Sequence, residues 1–359
     1  MKKIIIPLIL LASVISFSYS QNATSPEAVE FAKQGMSFFD QGRYADAIVQ
    51  YKKGRALAPK NSLFSYEIAL SYFSMKNYPS CIATLDSVIS RTDINSQFFQ
   101  LMGDAYDMSG KPDSAMVVFK MGMLRFPKAA DLSMECGVLE YAKKNYKAAH
   151  AYWLEGLGKD PSFADNYYHL ARFYADSANR IPAILYSEIY LNLTRNTAQV
   201  AEINKLFCTL IGKSIHLSVD STLILNFSGN SSGKILVADS VKDFCQALNN
   251  TFQLTGLLLQ GKKMKAGIDA VTAVREAFIK VWFEQKYNLR FRFSLFDFEK
   301  QVLDAGHYYS YNQWLMIKCN MFEFQRWFEE NKNTYTLFVE WYKGHSFKNL
   351  YPQDIFLCR

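Results

Sequence analysis

The side chains best suited to chemistry lie near the C-terminus, in residues 306–314, which read Gly-His-Tyr-Tyr-Ser-Tyr-Asn-Gln-Trp. His307 follows a glycine that can end a helix, and Asp304 lies three residues before it, so the two could form an acid–base pair. The same pattern is typical of a loop at a helix end whose rings pack into a core, and we favour that interpretation. We therefore predict no catalytic residue, and an enzyme with a site around His307 remains the alternative function.

Metal and phosphate sites have weaker support in the sequence. His307, Cys319, His345 and Cys358 could supply four metal ligands, but their long separations match no zinc-binding pattern. Residues 228–233 are rich in Gly and Ser but lack the Lys-Ser/Thr ending of a phosphate-binding loop. We expect no metal and no cofactor.

The N-terminus has the three parts of a signal peptide. Two lysines open the chain, an apolar run covers residues 4–15, and Ser18 and Ser20 supply the small side chains that a signal peptidase requires. The apolar run is shorter than the roughly 20 residues of a membrane-spanning helix. We predict cleavage near Gln21 and a periplasmic or secreted protein with no transmembrane segment after cleavage.

Charge and composition exclude some classes of protein. Half of the residues are hydrophobic and 20% are charged, which is typical of a folded chain and not of a disordered one. The formal net charge is +7, but lysines and arginines are scattered among acidic residues. Nucleic-acid or anionic-membrane binding is usually accompanied by clustered basic residues. We therefore predict no nucleic-acid partner.

A pattern with a period of 34 residues occupies the first half of the chain. Aromatic residues recur at one position, as Tyr51, Phe119 and Trp153, and a proline follows eight residues after each of them. Residues without a bulky side chain recur at three further positions, where two crossing helices would leave little room. These small residues include Gly35, Ala47, Gly54, Ala69, Cys81, Gly103, Ala115, Gly122, Gly137, Ala149, Gly156, Ala171 and Ala183.

This pattern resembles the tetratricopeptide repeat, a helix–turn–helix unit of 34 residues. The resemblance implies an α-solenoid of five helical hairpins, in an exported bacterial protein whose aromatic C-terminal half has no activity that we can name. A stack of this kind needs a terminal cap. The predicted organisation is a signal peptide over residues 1–20, repeats over 25–197, a capping helix over 198–215 and a C-terminal domain over 216–359.

The C-terminal domain is predicted to be mostly α-helical with a possible short β-hairpin. The hairpin would pair residues 217–227 with residues 234–238 across a Gly/Ser-rich turn, because both segments have strand character. Apolar periodicity indicates the helices. They are predicted near residues 240–260, 268–287, 296–305, 321–331 and 334–342.

The cysteines fall into two groups. Cys81 and Cys136 occupy buried positions of the second and fourth repeats, and two hairpin layers would separate them. We predict that they are not paired with each other, since a disulfide needs Cα atoms within about 7 Å. Pairing is left open for the other four, which are Cys208, Cys245, Cys319 and Cys358.

The family resemblance also indicates a function. In the family, the first helix of each hairpin lines a concave groove, and repeat positions 2, 5, 9, 12 and 13 point into it. We expect a non-enzymatic scaffold or adaptor of the cell envelope that binds a protein or peptide there, unless the C-terminal half covers the groove. The candidate groove residues are Phe39, Tyr66, Phe73, Gln97, Gln100, Asp104, Asp107, Tyr141, Tyr168 and Arg172.

Overall fold

A computed structural model describes residues 25–175, 180–194, 198–226, 243–348 and residue 350. The predicted signal peptide lies outside these residues. The chain divides into two compact units, which meet between Tyr152 and Trp153 and are described separately below. None of the helices in the described part of the chain is long and apolar enough to cross a membrane.

The first unit consists of paired helices joined by short turns. Helices α1 and α2, α3 and α4, and α5 and α6 each form a helical hairpin, and α7 begins the fourth. Helix α8 completes the fourth hairpin and runs across the boundary between the units. The bounds are α1 Pro26–Asp40, α2 Tyr44–Leu57, α3 Leu63–Ser74, α4 Tyr78–Asp86, α5 Ser96–Met108, α6 Pro112–Arg125, α7 Ala130–Ala142 and α8 Tyr146–Lys159.

The turn inside each of these four hairpins has the same backbone conformation. Gly42, Lys76, Gly110 and Lys144 all have a positive φ, between 60° and 82°, and they follow one another at the 34-residue period. Each of these residues donates its N–H to the carbonyl three positions earlier, over 2.8–2.9 Å. This left-handed ending of a helix satisfies carbonyls of its last turn. The repeat therefore fixes the geometry of the turn even where lysine replaces glycine.

The small residues of the repeat lie where the helices approach most closely, as predicted. A Cβ atom added to Gly103 would be 2.1 Å from Cε1 of Phe119, and one added to Gly54 would be 2.2 Å from Cε1 of Phe64. Cys81 occupies another of these small positions. Cys81 and Cys136 are both buried and no disulfide joins them, which confirms that they are not paired with each other. The three aromatic residues of the pattern are also buried.

The second unit contains the fifth hairpin together with the C-terminal helices. Helices α9 and α10 form the hairpin, and α11 packs against both of them. The domain boundaries expected at residues 197 and 215 remain predictions. The bounds are α9 Ala164–Ala175, α10 Ile181–Leu193, α11 Ala198–Ser214, β1 Ile215–Leu217, β2 Leu223–Leu225, α12 Phe244–Leu259, α13 Ile268–Glu284, α14 Tyr287–Arg290, α15 Ser294–Asp304, α16 Tyr308–Leu315 and α17 Met321–Gly344.

The β-hairpin is shorter than predicted and begins earlier. Strands β1 and β2 are antiparallel, and His216 lies opposite Ile224. The chain reverses at the Asp-Ser pair within residues 217–227, where the Ser218 N–H donates to the Thr222 carbonyl over 2.9 Å. Strand β2 therefore lies within the segment that was expected to form one strand, whereas β1 overlaps that segment only at Leu217. The other expected strand, residues 234–238, lies outside the described residues.

The predicted C-terminal helices are present, with differences at α12 and α17, and two further helices, α14 and α16, were not predicted. Helix α12 begins at Asp243, whose side chain caps it by accepting from the Gln246 N–H over 2.9 Å. The last two predicted helices are one element, α17, that is interrupted by non-helical backbone at Asn331. The fold class is confirmed as an α-solenoid of helical hairpins followed by a mainly helical region with a short β-hairpin.

A disulfide bond joins two parts of the second unit that are distant in sequence. Cys208 of α11 is bonded to Cys319, which lies between α16 and α17, with a Cα–Cα distance of 5.3 Å. Cys245 is also disulfide-bonded, and Cys358 lies outside the described residues. The disulfide therefore fixes the end of α16 to the helix that follows the repeats.

Candidate protein-interaction groove

The groove is defined as the surface of the first unit that comprises repeat positions 2, 5, 9, 12 and 13 of α1, α3, α5 and α7. The first helices lie side by side along it. The Gln100 side chain of α5 donates from Nε2 to Glu135 Oε1 of α7 over 2.9 Å. On the other side of α5, the ring of Phe98 packs against Tyr66 of α3, with centroids 5.1 Å apart. These contacts show that α3, α5 and α7 lie side by side, and the groove along them remains a prediction.

Three aromatic candidates lie beside the turns of their hairpins. Each ring packs edge-on against an aromatic residue five positions later, at the start of the second helix. Such pairs stabilise a fold beyond the area that they bury, so these rings brace the turns. The pairs are Phe39 with Tyr44 at 5.1 Å, Phe73 with Tyr78 at 5.5 Å, and Tyr141 with Tyr146 at 5.2 Å.

Tyr141 and Tyr66 differ in what they offer to a partner. Tyr141 is 47% exposed, so much of its surface faces solvent. Tyr66 is only 8% exposed, and burial, with the nearby charge of Glu67 next in importance, raises the pKa of its hydroxyl. The ring of Tyr66 stabilises the packing of α3 on α5, and little of it can contact a partner.

The polar part of the groove is acidic. Gln97, Gln100, Asp104 and Asp107 are half-buried on α5. Although the whole chain has a net charge of +7, no groove position of the first four hairpins holds Lys or Arg. Unlike charges attract over about 10 Å at ordinary ionic strength, so this surface favours cationic side chains. The charged residues at these positions are Asp40, Asp104, Asp107 and Asp131.

The two candidates in the second unit form a polar cluster with α11. Tyr168 is 2% exposed, and its hydroxyl donates to Glu202 Oε2 over 2.9 Å. Arg172 lies with Nε 3.0 Å from Glu202 Oε1 and donates from Nη1 to the Tyr168 hydroxyl over 3.2 Å. Burial, ahead of the hydrogen bond to Glu202, raises the pKa of Tyr168. The cluster joins α9 to α11, so both side chains have a structural role.

The segment around His307 is a helix and not the loop that we expected. Residues 308–315 form α16, because burial of Tyr308 and Tyr311 compensates for the modest helix propensity of its sequence. Asp304 pairs with Lys300 at 2.5 Å. The ring of His307 lies 5.5 Å from that of Trp341, and burial lowers the pKa of His307. The described residues therefore contain no hydrogen bond between His307 and Asp304.

A buried ionic cluster in the second unit was not predicted. Arg275 of α13 donates from Nη1 to Glu188 Oε2 of α10 over 2.7 Å and from Nη2 to Glu299 Oε2 of α15 over 3.0 Å. Tyr308 donates its hydroxyl to the same oxygen of Glu299. Tyr311 donates its hydroxyl to Glu188 Oε1 over 2.8 Å. Helices α10, α13, α15 and α16 are thus joined through one guanidinium group and the two carboxyl groups that it contacts.

This cluster is enclosed. Glu188 is fully buried, and Arg275 is 9% exposed. Burial, and then the charge of Glu188, raise the pKa of Glu299 to about 8, against the opposing effect of Arg275. A substrate could not reach these groups without local unfolding, so the cluster holds helices together. The only hint in the sequence is Glu188, the single charged residue of the apolar helix α10.

Comparisons with known proteins show likeness to helical-repeat structures. No family model and no curated protein matches the chain. The crystal structure of MamA is 18% identical, with 44% of this chain and 93% of that chain covered and a TM-score of 0.36. PilW, a widely conserved type IV pilus biogenesis factor, is 16% identical, with 52% of this chain and 86% of that chain covered and a TM-score of 0.41. TTC0263, a thermophilic TPR protein in Thermus thermophilus, is 16% identical, with 50% of this chain and 98% of that chain covered and a TM-score of 0.42. These likenesses concern helical hairpins and identify no partner.

Proposed function

We propose that the protein is a non-enzymatic scaffold or adaptor of the cell envelope that binds a protein or peptide in the groove of its first unit. The partner would present lysine or arginine side chains, because the groove positions hold aspartates and no basic residue. The exposed part of the contact surface would centre on α5 and on Tyr141, since Tyr66 is buried in the packing of α3 on α5.

The observation that carries this proposal is the combination of one exposed ring with half-buried acidic and amide groups on neighbouring helices. Interface energy usually concentrates in a few aromatic or charged anchors, and Tyr141 is 47% exposed. Asp104 and Asp107 lie one helical turn apart on α5, so a basic side chain could bind between them. Surface amides such as Gln97 can bond to an extended peptide.

The cell-envelope location is part of the proposal. Disulfide bonds persist mainly in oxidising compartments outside the cytoplasm, and the bond between Cys208 and Cys319 fits such a compartment. It supports export independently of the signal-peptide pattern in residues 1–20. Export would place the groove among periplasmic, secreted or surface-exposed partners.

Pull-down from the protein's own cells, with quantitative mass spectrometry, tests the proposal. The variant Asp104→Asn/Asp107→Asn keeps the side-chain shape and removes two charges from the groove. The matched control Asp86→Asn/Asp113→Asn removes two exposed charges from second helices. We expect the groove variant to lose specific partners that wild type and control retain. Equal recovery of every partner by all three proteins would contradict the proposal.

A further inference from the structure

The second unit exposes a basic loop beside the tip of the β-hairpin. The loop, residues 260–267, follows α12, and Lys263 pairs with Thr222 as an isolated antiparallel bridge. The Met264 N–H also donates to the Ser221 carbonyl over 3.4 Å. The end of α12, the basic loop and the hairpin turn therefore adjoin one another, although residues 222 and 263 are distant in sequence.

Apolar side chains on these segments are exposed to solvent. Val219, in the hairpin turn, is completely exposed. Leu257 and Leu258, in the last turn of α12, are 56% and 51% exposed. The same turn of α12 lies near β2, because a Cβ atom added to Gly256 would be 3.9 Å from Leu225 Cδ1. Neighbouring exposed apolar residues of this kind often mark an interaction surface.

Three lysines flank the apolar side chains. Lys262, Lys263 and Lys265 are exposed, and none of their ammonium groups forms a hydrogen bond or ion pair within the described part of the chain. The nearest acid along the hairpin, Asp220, accepts from the Ser218 hydroxyl in its own turn. The positive charge of the loop is therefore available to an external anion.

We propose that this surface docks the protein on an anionic lipid membrane. A membrane interface accepts apolar side chains and attracts lysines through its headgroups at the same time, and both kinds of side chain occur here together. Nucleic acid would be expected to meet arginines and exposed aromatic rings, which the six residues lack. This inference goes beyond partner binding in the groove. The lipid-docking patch consists of Val219, Leu257, Leu258, Lys262, Lys263 and Lys265.

The sequence alone suggested no such site. Its positive charge is scattered, and three lysines in a loop are usually no more than a solvated surface. Only the pairing of the loop with the hairpin turn places them beside exposed apolar residues.

Vesicle sedimentation of the mature full-length protein tests this proposal. The probes are vesicles of phosphatidylcholine with phosphatidylglycerol, and vesicles of phosphatidylcholine alone, each at low and high salt. One variant changes Lys262, Lys263 and Lys265 to Gln. The matched control changes three exposed lysines of the first unit to Gln, and these are Lys52, Lys120 and Lys147.

Each lysine near an anionic surface contributes about fivefold to binding, so the loop variant should bind the anionic vesicles about 100-fold more weakly. The control should bind as wild type does, and binding should weaken at high salt. The variant Leu257→Ala/Leu258→Ala should bind roughly tenfold more weakly. Circular dichroism should show the same fold throughout.

Three results would overturn the proposal. The first is a wild-type protein that does not sediment with anionic vesicles. The second is an equal loss of binding by the loop variant and the control, which would indicate a net-charge effect alone. The third is binding of the patch to polyglutamate but not to anionic vesicles, which would assign it to an acidic protein instead. Loss of groove partners in the pull-down would leave these outcomes unaffected, so the two proposals can fail separately.

Discussion

The variant Glu299→Gln tests how the buried cluster is held. Arg275 carries one positive charge between two carboxylates, Glu188 and Glu299. One cation cannot neutralise both, and burial raises the pKa of Glu299 to about 8. Glu299 should therefore keep a proton in the folded protein at neutral pH. Glutamine has the same shape and no charge, so it should replace this protonated group with little loss of stability.

The sign of the pH effect follows from linkage. In the folded protein Glu299 holds its proton up to about pH 8, and in the unfolded chain it loses the proton near its ordinary pKa of 4.5. The stability that the bound proton contributes is therefore complete below the unfolded pKa and is lost as the pH rises toward the folded pKa. Between the two pKa values, each unit of rising pH lowers the free energy of unfolding by about 1.4 kcal/mol. Raising the pH from about 5 to about 7.5 should lower the free energy of unfolding by about 3 kcal/mol.

Tryptophan fluorescence during urea unfolding can measure this effect in the second unit alone. All five tryptophans belong to that unit. The measurement compares wild type with Glu299→Gln across the pH window, and the variant should lose the dependence on pH. Glu67→Gln is the matched control, because Glu67 is a buried carboxyl of the first unit whose pKa burial also raises to about 8. The tryptophans are Trp153, Trp282, Trp314, Trp327 and Trp341.

Arg275→Met completes the comparison. It leaves the Glu188 carboxylate without its cation, and removal of one partner of a buried pair typically costs about 3–5 kcal/mol. The reasoning is refuted if Glu299→Gln has the same pH dependence as wild type, since Glu299 would then be ionised in the folded protein. It is also refuted if Glu299→Gln is as destabilising as Arg275→Met.

Three further predictions concern packing, the disulfide and export. Gly103→Leu should destabilise the protein by about 1–3 kcal/mol through overpacking. In the control Gly212→Ala the new Cβ meets open space, so the thermal unfolding midpoint should not fall. Equal midpoints for the two variants would contradict the repeat register. Replacing Cys208 and Cys319 with Ser should cost about 2–4 kcal/mol by tryptophan-monitored unfolding, and unchanged stability would contradict a constraining role. Mass spectrometry of the native protein should find an N-terminus within two residues of Gln21, and an intact leader would disprove cleavage.

The repeats could be predicted because their constraints recur along the sequence. A residue such as Gly103 must be small wherever helices cross, so the 34-residue period is visible without an alignment. The repeat position of a residue did not reveal how far its side chain is exposed, however. Tyr66 and Tyr141 both occupy groove positions, yet the first is 8% and the second 47% exposed. That difference depends on neighbouring helices, such as the one that carries Phe98.

The C-terminal half was harder to predict because its stabilising contacts are not periodic. Helix α16 is rich in Tyr, Asn and Ser, which are modest helix formers, and only packing shows that Tyr308 and Tyr311 are core residues. The cluster around Arg275 joins α10 to α13, α15 and α16, and Glu188 lies 87 residues before Arg275. A single sequence carries no signal that links such residues.

Site-specific photo-crosslinking in living cells tests the groove proposal most directly. A photoreactive phenylalanine analogue at Tyr141 or Gln97 would report on the groove. The same analogue at Val117 or Leu124, which are 57% and 84% exposed on α6, would report on a second helix. We expect a discrete crosslinked partner from both groove positions and none from α6. Crosslinks only from the α6 positions would contradict a binding groove on the first helices. The absence of crosslinks at all four positions would contradict it as well.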